Sequence, residues 1–469
     1  MMNNANRVMR NSQRDELPAP SPLAGEGRGE GYAARDDMAI EISYAKTPLT
    51  LTLSRKGRGD QTGVTRAWFV VTNLLALLAT PLAASAQPPL LTVDRPIVTA
   101  RPTAFAADGP ITFAVQPADG GKPSSTTVAI DDLVSWGAPA EFGRGIYALL
   151  ADGSVLYSET VAVADDSLDF LSPQFDSRTV PLAQARGVVL RPPALSAARD
   201  RLFRLPESGG GDRDRLLLVG GDDLLGTLTK LDSRHAVLET DVGPAQVELG
   251  RVTAVVFNPA LAAKYNAAAP RTLVGLRDGS LLACSAITGT DRLQLTPLFN
   301  PAIDPKFNKP WQCDAEDVVF LQRFGGRAAY LSDREPSGYK HVPYFDLSRP
   351  YRADLNVNGR ALRADGRRYL KGIGMTSTSR LTYPLDPAFK TFAAEIAIDD
   401  ETDGRGSVTF RVFVDAEERF RSEIVRGDDA PQPITVDVAG GRTLSLVVDF
   451  AERADELDHA DWLNARLLP

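Results

Sequence analysis

In the stretch SVTFRVFVD, residues 407–415, every second side chain is apolar: Val408, Phe410, Val412 and Val414. The stretch TLSLVVDF, residues 443–450, shows the same alternation at Leu444, Leu446 and Val448. Because successive side chains of a strand point to opposite faces, each set forms one apolar face. Short strands separated by turn residues continue at near-regular spacing over residues 328–469, which is typical of two packed sheets. The sequence therefore predicts a β-sandwich with these two faces inside.

Upstream of the sandwich, over residues 124–327, a loose pattern occurs three times. The copies contain IYALLADGSVLYSETVAV (146–163), RLLLVGGDDLLGTLTKL (215–231) and TLVGLRDGSLLACSAI (272–287). Each copy has an apolar strand, a tight turn with Gly, further strands and a last Val-rich strand. This pattern is similar to that of small SH3-like or Sm-like barrels. The predicted fold class is therefore all-β, with small barrel repeats followed by a jelly-roll sandwich.

Asp152-Gly153 and Asp278-Gly279 stand between apolar runs and are interpreted as hairpin tips, where Gly supplies a positive φ. The alternative, a calcium or nucleotide loop, is disfavoured because neither has the spaced carboxylates of an EF-hand loop.

The N-terminal part contains a predicted secretory signal at residues 64–86, with Arg66, an apolar run and the cleavage motif Ala84-Ser85-Ala86. The run is too short for a spanning helix, so export with cleavage after Ala86 is expected. Residues 1–63 are interpreted as a disordered extension or a wrongly assigned gene start. Residues 87–123 are interpreted as an extended lead-in that ends in one strand, ITFAVQ.

Composition excludes several classes of function. The formal net charge of −8 makes nucleic acid an improbable partner. Three histidines without an HExxH motif do not support a histidine metal centre, and the two cysteines, Cys284 and Cys313, allow one disulfide. The familiar nucleophile, Walker and dinucleotide motifs are missing, so no catalysis is predicted. A glycosidase in residues 124–327 remains the enzymatic alternative, because it needs only two close carboxylates.

Several motifs of the C-terminal region agree, in order, with a known family. They are YKHVPYFDLSRPYRADLNVNGRALRADGRRYLKGIGM (339–375), SRLTYPLDPAFKTFAAEIAIDDE (379–401), GSVTFRVFVDAEERFRSE (406–423) and DHADWLNARL (458–467). With these motifs, residues 328–469 resemble the NPCBM family of carbohydrate-binding modules. The resemblance implies a galactose-binding-like jelly roll and an exported protein whose partner is a polysaccharide or glycan. The alternative is a structural module that has lost sugar binding, with a protein partner on the repeats.

Two positions differ from the family pattern. Met375-Thr376 stands where most members have a His, and Arg349 stands where many have Trp. The loss of an aromatic ring weakens sugar stacking, although Arg349 can still donate hydrogen bonds. The candidate carbohydrate-binding residues are Arg349, Thr376, Arg380, Tyr383, His459 and Trp462.

Three of these candidates, and one acidic segment, have a structural alternative. Trp462 and Tyr383 also fit a sandwich core, and His459 also fits a hydrogen-bonded loop. Four carboxylates crowd one segment: Asp399, Asp400, Glu401 and Asp403. They fit either a solvated turn or a structural calcium site.

Overall fold

The computed structural model describes residues 88–94, 97–107, 109–116, 121–208, 211–266, 269–299, 310–344 and 348–469. The predicted signal at 64–86 and the extension at 1–63 lie outside the described residues. Within the described part, no helix is long and apolar enough to cross a membrane. The structure is nearly all strand, which confirms the predicted all-β class.

Four units of similar strand order, here called A to D, make up the first part. Unit A has β1 (Pro89–Thr92), β2 (Val98–Phe105), β3 (Ile111–Gln116), β4 (Ser124–Val128) and β5 (Leu133–Gly137). Unit B has β6 (Ile146–Leu150), β7 (Val155–Ser158), β8 (Thr160–Ala164), β9 (Ser167–Ser172), β10 (Asp176–Pro181) and β11 (Ala185–Val189). Unit C has β12 (Asp214–Leu218), β13 (Asp223–Leu231), β14 (His235–Thr240), β15 (Gly243–Glu248) and β16 (Val252–Val256). Unit D has β17 (Arg271–Leu276), β18 (Leu281–Gly289), β19 (Arg292–Pro297), β20 (Trp311–Asp314) and β21 (Val318–Phe324). The helix α1 (Ser196–Ser208) connects units B and C.

Every unit closes in the same way. A one-turn 3₁₀ helix precedes the last strand, at Ile130–Asp132, Leu182–Gln184, Leu249–Arg251 and Ala315–Asp317. The last strand then pairs antiparallel with the first strand of its own unit. This is the strand order of a small SH3-like barrel. The sequence predicted three copies that begin at residue 124, but the supposed lead-in already contains β1, β2 and β3 of unit A. The reason is local: the β1–β2 connection lacks the Asp-Gly turn that marks units B and D.

The units join through their strands. The last strands pair across units, β5 with β21 and β11 with β16. Units B and D also exchange hydrogen bonds: the backbone N–H of Tyr157 donates to Ser280 Oγ, and the N–H of Ala283 donates to Ser154 Oγ, both at 3.0 Å. Ser154 and Ser280 are buried. The two Asp-Gly-Ser motifs are therefore hairpin turns with a positive-φ Gly, as predicted, and their buried serines also form contacts between units.

The second part is a sandwich of two six-stranded sheets. Its strands are β22 (Ala329–Tyr330), β23 (Gly338–His341), β24 (Arg352–Ala353), β25 (Leu362–Ala364), β26 (Arg367–Tyr369), β27 (Gly372–Thr376), β28 (Ser379–Pro384), β29 (Thr391–Ile398), β30 (Ser407–Val414), β31 (Glu417–Arg421), β32 (Val425–Arg426), β33 (Gln432–Asp437), β34 (Thr443–Phe450) and β35 (His459–Leu468). One sheet has the order β24-β27-β35-β29-β33, with β22 on β35, and the other has β23-β28-β34-β30-β31, with β32 on β30. The predicted apolar stripes of β30 and β34 lie in the core between the sheets.

The hairpin β25–β26 holds the sandwich against the first part. Arg363 in this hairpin forms ion pairs with Glu141, which precedes unit B, at 2.7 Å and with Asp200 of α1 at 2.6 Å. The Arg368 guanidinium stacks on the ring of Phe142, 4.3 Å from its centroid. A separate apolar cluster joins Leu91 and Val134 of unit A to Ala393 and Leu468 of the sandwich.

The predicted disulfide is wrong for this structure, in which Cys284 and Cys313 are buried free thiols. Cys284 on β18 pairs with Pro297 of β19, whereas Cys313 on β20 pairs with Leu293 of β19. The two cysteines therefore lie on strands that a third strand separates, at different levels along it. Burial raises the pKa of Cys313 to about 12, so this thiol stays protonated and unreactive at neutral pH.

Candidate functional site

One end of the sandwich collects most of the predicted site residues. Here β27 ends at Thr376, directly opposite His459 at the start of β35. On the other sheet, His341 at the end of β23 lies opposite Ser379, and Arg380 follows in β28. The cross-strand register therefore brings Thr376, Arg380 and His459 to the same end. Thr376 and His459 are buried, while Arg380 is exposed.

Arg349 joins this end through hydrogen bonds to its backbone. Its N–H donates to His341 Nδ1 at 3.0 Å, and its carbonyl accepts from the Tyr339 hydroxyl at 2.7 Å. Because Nδ1 of His341 accepts, the proton is on Nε2, which donates to the carbonyl of Ser377 at 3.1 Å. Among the described residues, no carboxylate forms an ion pair with the Arg349 guanidinium. The backbone of Arg349 is thus fixed at both ends, and its charged group is available.

Beside this loop, a buried carboxylate ties three loops together. Asp458 accepts from Ser377 Oγ at 2.6 Å and from the backbone N–H of Ser407 at 3.0 Å. Burial raises the pKa of Asp458 to about 6, although both hydrogen bonds oppose the shift. A polar cleft of about 240 Å³ opens next to Ser407 and includes Arg426 and Glu452 in its wall.

The acidic segment after β29 uses its carboxylates as hydrogen-bond acceptors. Asp399 accepts from Asn356 Nδ2 at 3.0 Å, and Asp400 accepts from the backbone N–H groups of Asp365 and Gly366 at 2.9 Å. Asp403 ends the turn in the left-handed conformation, at φ 55°. Within the described ranges, no group of three or more carboxylate, His or Cys side chains could hold a metal ion. The turn interpretation therefore fits this structure, and the proposed calcium site does not form.

Glu401 of the same segment pairs with His459. The distance from His459 Nδ1 to Glu401 Oε1 is 2.7 Å, and Arg360 lies 3.1 Å from the other oxygen of Glu401. Burial works against ionisation, but the hydrogen bond and charge of His459 hold the pKa of Glu401 below its usual value. His459 is therefore a buried partner of Glu401 and does not face the outside of the loops.

Asp461 lies deeper, next to Asp399, and both carboxyls are buried. Burial, together with the neighbouring Asp399 carboxyl, raises the pKa of Asp461 well above its usual range. Burial raises the pKa of Asp399 as well, and two close buried carboxyls disfavour ionisation of both.

Trp462 and Tyr383 take the core positions that sequence reasoning left open as their structural alternative, so they are not sugar-binding residues. Trp462 is completely buried and makes an edge-to-face contact with Phe410, whose ring centroid is 4.9 Å away. Tyr383 is also buried in the core between the sheets. Neither ring has a face to offer a sugar.

Sequence reasoning did not include His341 among the candidate site residues. The structure places His341 in β23 and makes it the link between Arg349 and Ser377. Tyr344 follows on the same segment and is 62% exposed. The only sequence signal was the aromatic and basic character of YKHVPY (339–344).

Several carboxylates of the described repeat region have structural partners. Asp152 and Asp278 each accept the backbone N–H two residues ahead, so they stabilise turns. Glu141 and Asp200 each form an ion pair with the same arginine, Arg363.

Comparison with known proteins identifies the sandwich. The model of the NPCBM/NEW2 domain family matches residues 327–468. Over 117 residues, the chain is 35% identical to alpha-1,3-galactosidase B of Akkermansia muciniphila, which is 24% of this chain and 15% of that protein. The chain thus spans less than a sixth of the length of the curated relatives it matches.

Two solved structures are also similar. One is CBM51 from Clostridium perfringens GH95 in complex with methyl-galactose, with 26% identity, a TM-score of 0.28, and coverage of 30% of this chain and 99% of that one. The other is CBM51-2 in complex with GlcNAc, with INT domains, from Clostridium perfringens ZmpB, with 21% identity, a TM-score of 0.28, and coverage of 48% and 43%. The family match, together with the two-sheet sandwich over the same residues, identifies the C-terminal part of this chain as an NPCBM/NEW2 domain.

Proposed function

We propose that this protein is an exported, non-catalytic glycan-binding protein that attaches to polysaccharide through the loop end of its C-terminal sandwich. The family match to the whole sandwich supports this assignment, because two proteins similar to this part are CBM51 modules in complex with methyl-galactose and GlcNAc. The four barrel units then act as a rigid support, to which the sandwich is held by the Arg363 ion pairs.

The observation that carries the proposal is the geometry of Arg349. Sugar sites need polar groups held in place before the ligand arrives, since ordering a flexible side chain reduces the affinity. Two hydrogen bonds fix the Arg349 backbone, and no carboxylate of the described chain neutralises its guanidinium. A guanidinium in this state can donate a pair of parallel hydrogen bonds to sugar hydroxyls. Tyr344, three residues after His341, is 62% exposed and adds an aromatic side chain to this segment.

The absence of catalysis belongs to the proposal. The curated relatives with glycosidase names match only the module region of this chain. In the described part of the repeat region, Glu141 and Asp200 are both paired with Arg363. Export rests on the predicted signal at 64–86, and N-terminal sequencing of the secreted protein should begin at Gln87. A mature chain that still carries residues before 64 would contradict the cleavage site.

A binding experiment with the whole mature protein tests the proposal. Wild type on an array of galactose-, glucose- and uronate-containing glycans should show binding, with dissociation constants for single sugars near the millimolar range, about 4 kcal/mol. Arg349→Ala should weaken binding about fivefold to tenfold, since it removes one charge-assisted hydrogen-bonding group. Its melting temperature should stay the same, because the side chain forms no ion pair with the described protein.

The matched control is Arg419→Ala, which removes an exposed arginine paired with Glu417 at the opposite end of the sandwich. It should bind as wild type does. If Arg349→Ala binds equally well, the loop end is not the site. If wild type binds no glycan, the alternative of an interaction module with a protein partner on the repeats replaces this proposal.

A further inference from the structure

We infer that the outer face of the sheet β23-β28-β34-β30-β31 binds acidic polysaccharide, through carboxylate or sulfate groups. This inference rests on the proposed function and names the class of glycan. Arg380 lies on this face beside the loop end, and the row of cations described next crosses the sheet at the level of Arg380.

A row of cations runs across this face. The strand register aligns Lys340 with Arg380, Arg380 with Val447, Val447 with Arg411, and Arg411 with Arg421. Four of these five aligned positions are therefore basic. Neighbouring strands lie about 4.8 Å apart, so the row spans about 19 Å. This length matches several sugar units of an extended polymer, and the row is perpendicular to the strands.

Only part of this charge is neutralised within the protein. Arg411 pairs with Glu418 and, at 2.8 Å, with Asp449. In the described residues, neither Lys340 nor Arg380 has a carboxylate within ion-pair distance, and both are exposed. A protein with a net charge of −8 thus presents two adjacent uncompensated cations on one flat surface. Such a local positive field attracts anions even though the whole chain is acidic.

Apolar surface lies between the cations. The Phe413 ring is half-buried, with the Arg380 guanidinium 5.1 Å and the Arg411 guanidinium 4.8 Å from its centroid. Val342, two residues beyond Lys340, is 52% exposed. The row therefore offers both hydrogen-bond donors for an anionic group and contacts for the apolar face of a sugar ring. An acidic sugar can use both features, because its carboxylate pairs with a cation and the apolar face of its ring packs on an aromatic side chain.

The charge balance favours an acidic polysaccharide over nucleic acid. Only two of the aligned cations are uncompensated, and the remaining surface of the acidic chain repels a densely charged phosphate backbone. A polymer with one carboxylate per sugar has a lower charge density, and each of its units can add a weak contact.

The experiment compares polygalacturonate with a neutral galactan, both binding to the mature protein in a titration calorimeter at low and physiological salt. Wild type should bind polygalacturonate more tightly than galactan, and the difference should shrink at the higher salt because exposed charges are screened. The double variant Lys340→Gln, Arg380→Gln should bind polygalacturonate about tenfold more weakly, the effect of losing two exposed ionic contacts. Its galactan binding should fall by much less than its polygalacturonate binding, because a neutral polymer forms no ionic contact with either side chain.

The control is Lys122→Gln with Arg213→Gln, which removes the same two charges from units A and C. It should bind polygalacturonate as wild type does, so an effect of net charge alone is separated from an effect of the row. Equal loss in both double variants, or galactan binding without polygalacturonate binding, would overturn this inference and leave the proposed function intact. Binding to neither polymer, with loss of array binding, would instead defeat the proposed function.

Discussion

Replacement of Arg363 by alanine should weaken the contact between the sandwich and the repeat units and so lower the free energy of unfolding. Its guanidinium donates to both oxygens of Glu141, at 2.7 and 2.9 Å, and to both oxygens of Asp200, at 2.6 and 2.9 Å. The Arg363 side chain is 17% exposed, and that of Asp200 is 4% exposed. Removal of the arginine leaves the Asp200 carboxylate buried without its principal partner.

The two ion pairs contribute unequally. Loss of one partner from a buried pair costs about 3 to 5 kcal/mol, and Asp200 meets that description. The Glu141 side chain is 40% exposed, so its pair contributes only about 0.5 kcal/mol. Because Asp200 also keeps a 3.2 Å hydrogen bond from the backbone N–H of Ala361, the total expected loss is near the lower limit, about 3 kcal/mol.

The loss should depend on pH in a defined direction. Burial alone would raise the pKa of Asp200, but the hydrogen bonds and charge of Arg363 bring it below the usual value of 3.8. An acid with a lowered folded pKa stabilises the protein above its unfolded pKa and ceases to do so as the pH falls through the folded value. The difference in unfolding free energy between wild type and Arg363→Ala should therefore be largest at pH 7 and should shrink below pH 3.8.

Urea unfolding, followed by tryptophan fluorescence, measures this effect. Arg367→Ala in the same hairpin is the control, since Arg367 is 39% exposed and pairs only with Asp365, which is 55% exposed. The control should lose less than about 0.5 kcal/mol. A loss below about 1 kcal/mol for Arg363→Ala would refute the reasoning that this arginine holds the two parts together.

Three further predictions concern the sandwich and the thiols. Because the folded pKa of Asp458 is about 6 and its ordinary value is 3.8, wild type should lose stability as pH rises between them. Asp458→Asn lacks this loss, so its stability relative to wild type should rise by about 2 kcal/mol from pH 4 to pH 7 in urea titrations; a stability difference that does not change with pH would contradict the raised pKa. Trp462→Ala should lower the unfolding free energy by about 3 to 5 kcal/mol through the cavity it leaves, and a near-neutral change would place this ring outside the core. Thiol titration of the unfolded, non-reduced protein should find both Cys284 and Cys313 free. A titration that finds no free thiol would show that the two are joined by a disulfide.

The strand pattern of the sandwich was predictable because two neighbouring strands have one apolar and one polar face. In β30, the buried residues alternate with partly exposed ones over most of its length. The same rule fails for β35, in which all ten residues are buried. The β25–β26 hairpin covers the outer side of this strand, where Leu463 meets Leu362 and Tyr369. The sequence therefore favoured the core for Trp462 but left a sugar-stacking role open as well.

The candidate site depended on contacts between distant residues. Arg349 was singled out because it replaces an aromatic residue of the family pattern, but the hydrogen bonds that fix it come from Tyr339 and His341. A local pattern cannot reveal such partners, because they are set by how the loop folds back on β23. The contact between the sandwich and the repeat units was even harder to predict, since Arg363 and Glu141 are 222 positions apart in sequence.

The two hydrogen bonds that Ser154 and Ser280 accept limit how many barrel units can join by this contact. It is an isologous contact: each unit offers the same patch to the other, as in a twofold dimer, so the contact closes on itself and does not propagate. In unit C the equivalent turn has the same backbone hydrogen bonds, but Asp222 stands at the position of the serine. Two copies of that turn brought face to face would oppose like charges. Among the described residues, Ser154 and Ser280 form one closed pair of this kind, and Asp222 disfavours an end-to-end chain of such contacts through the turn of unit C.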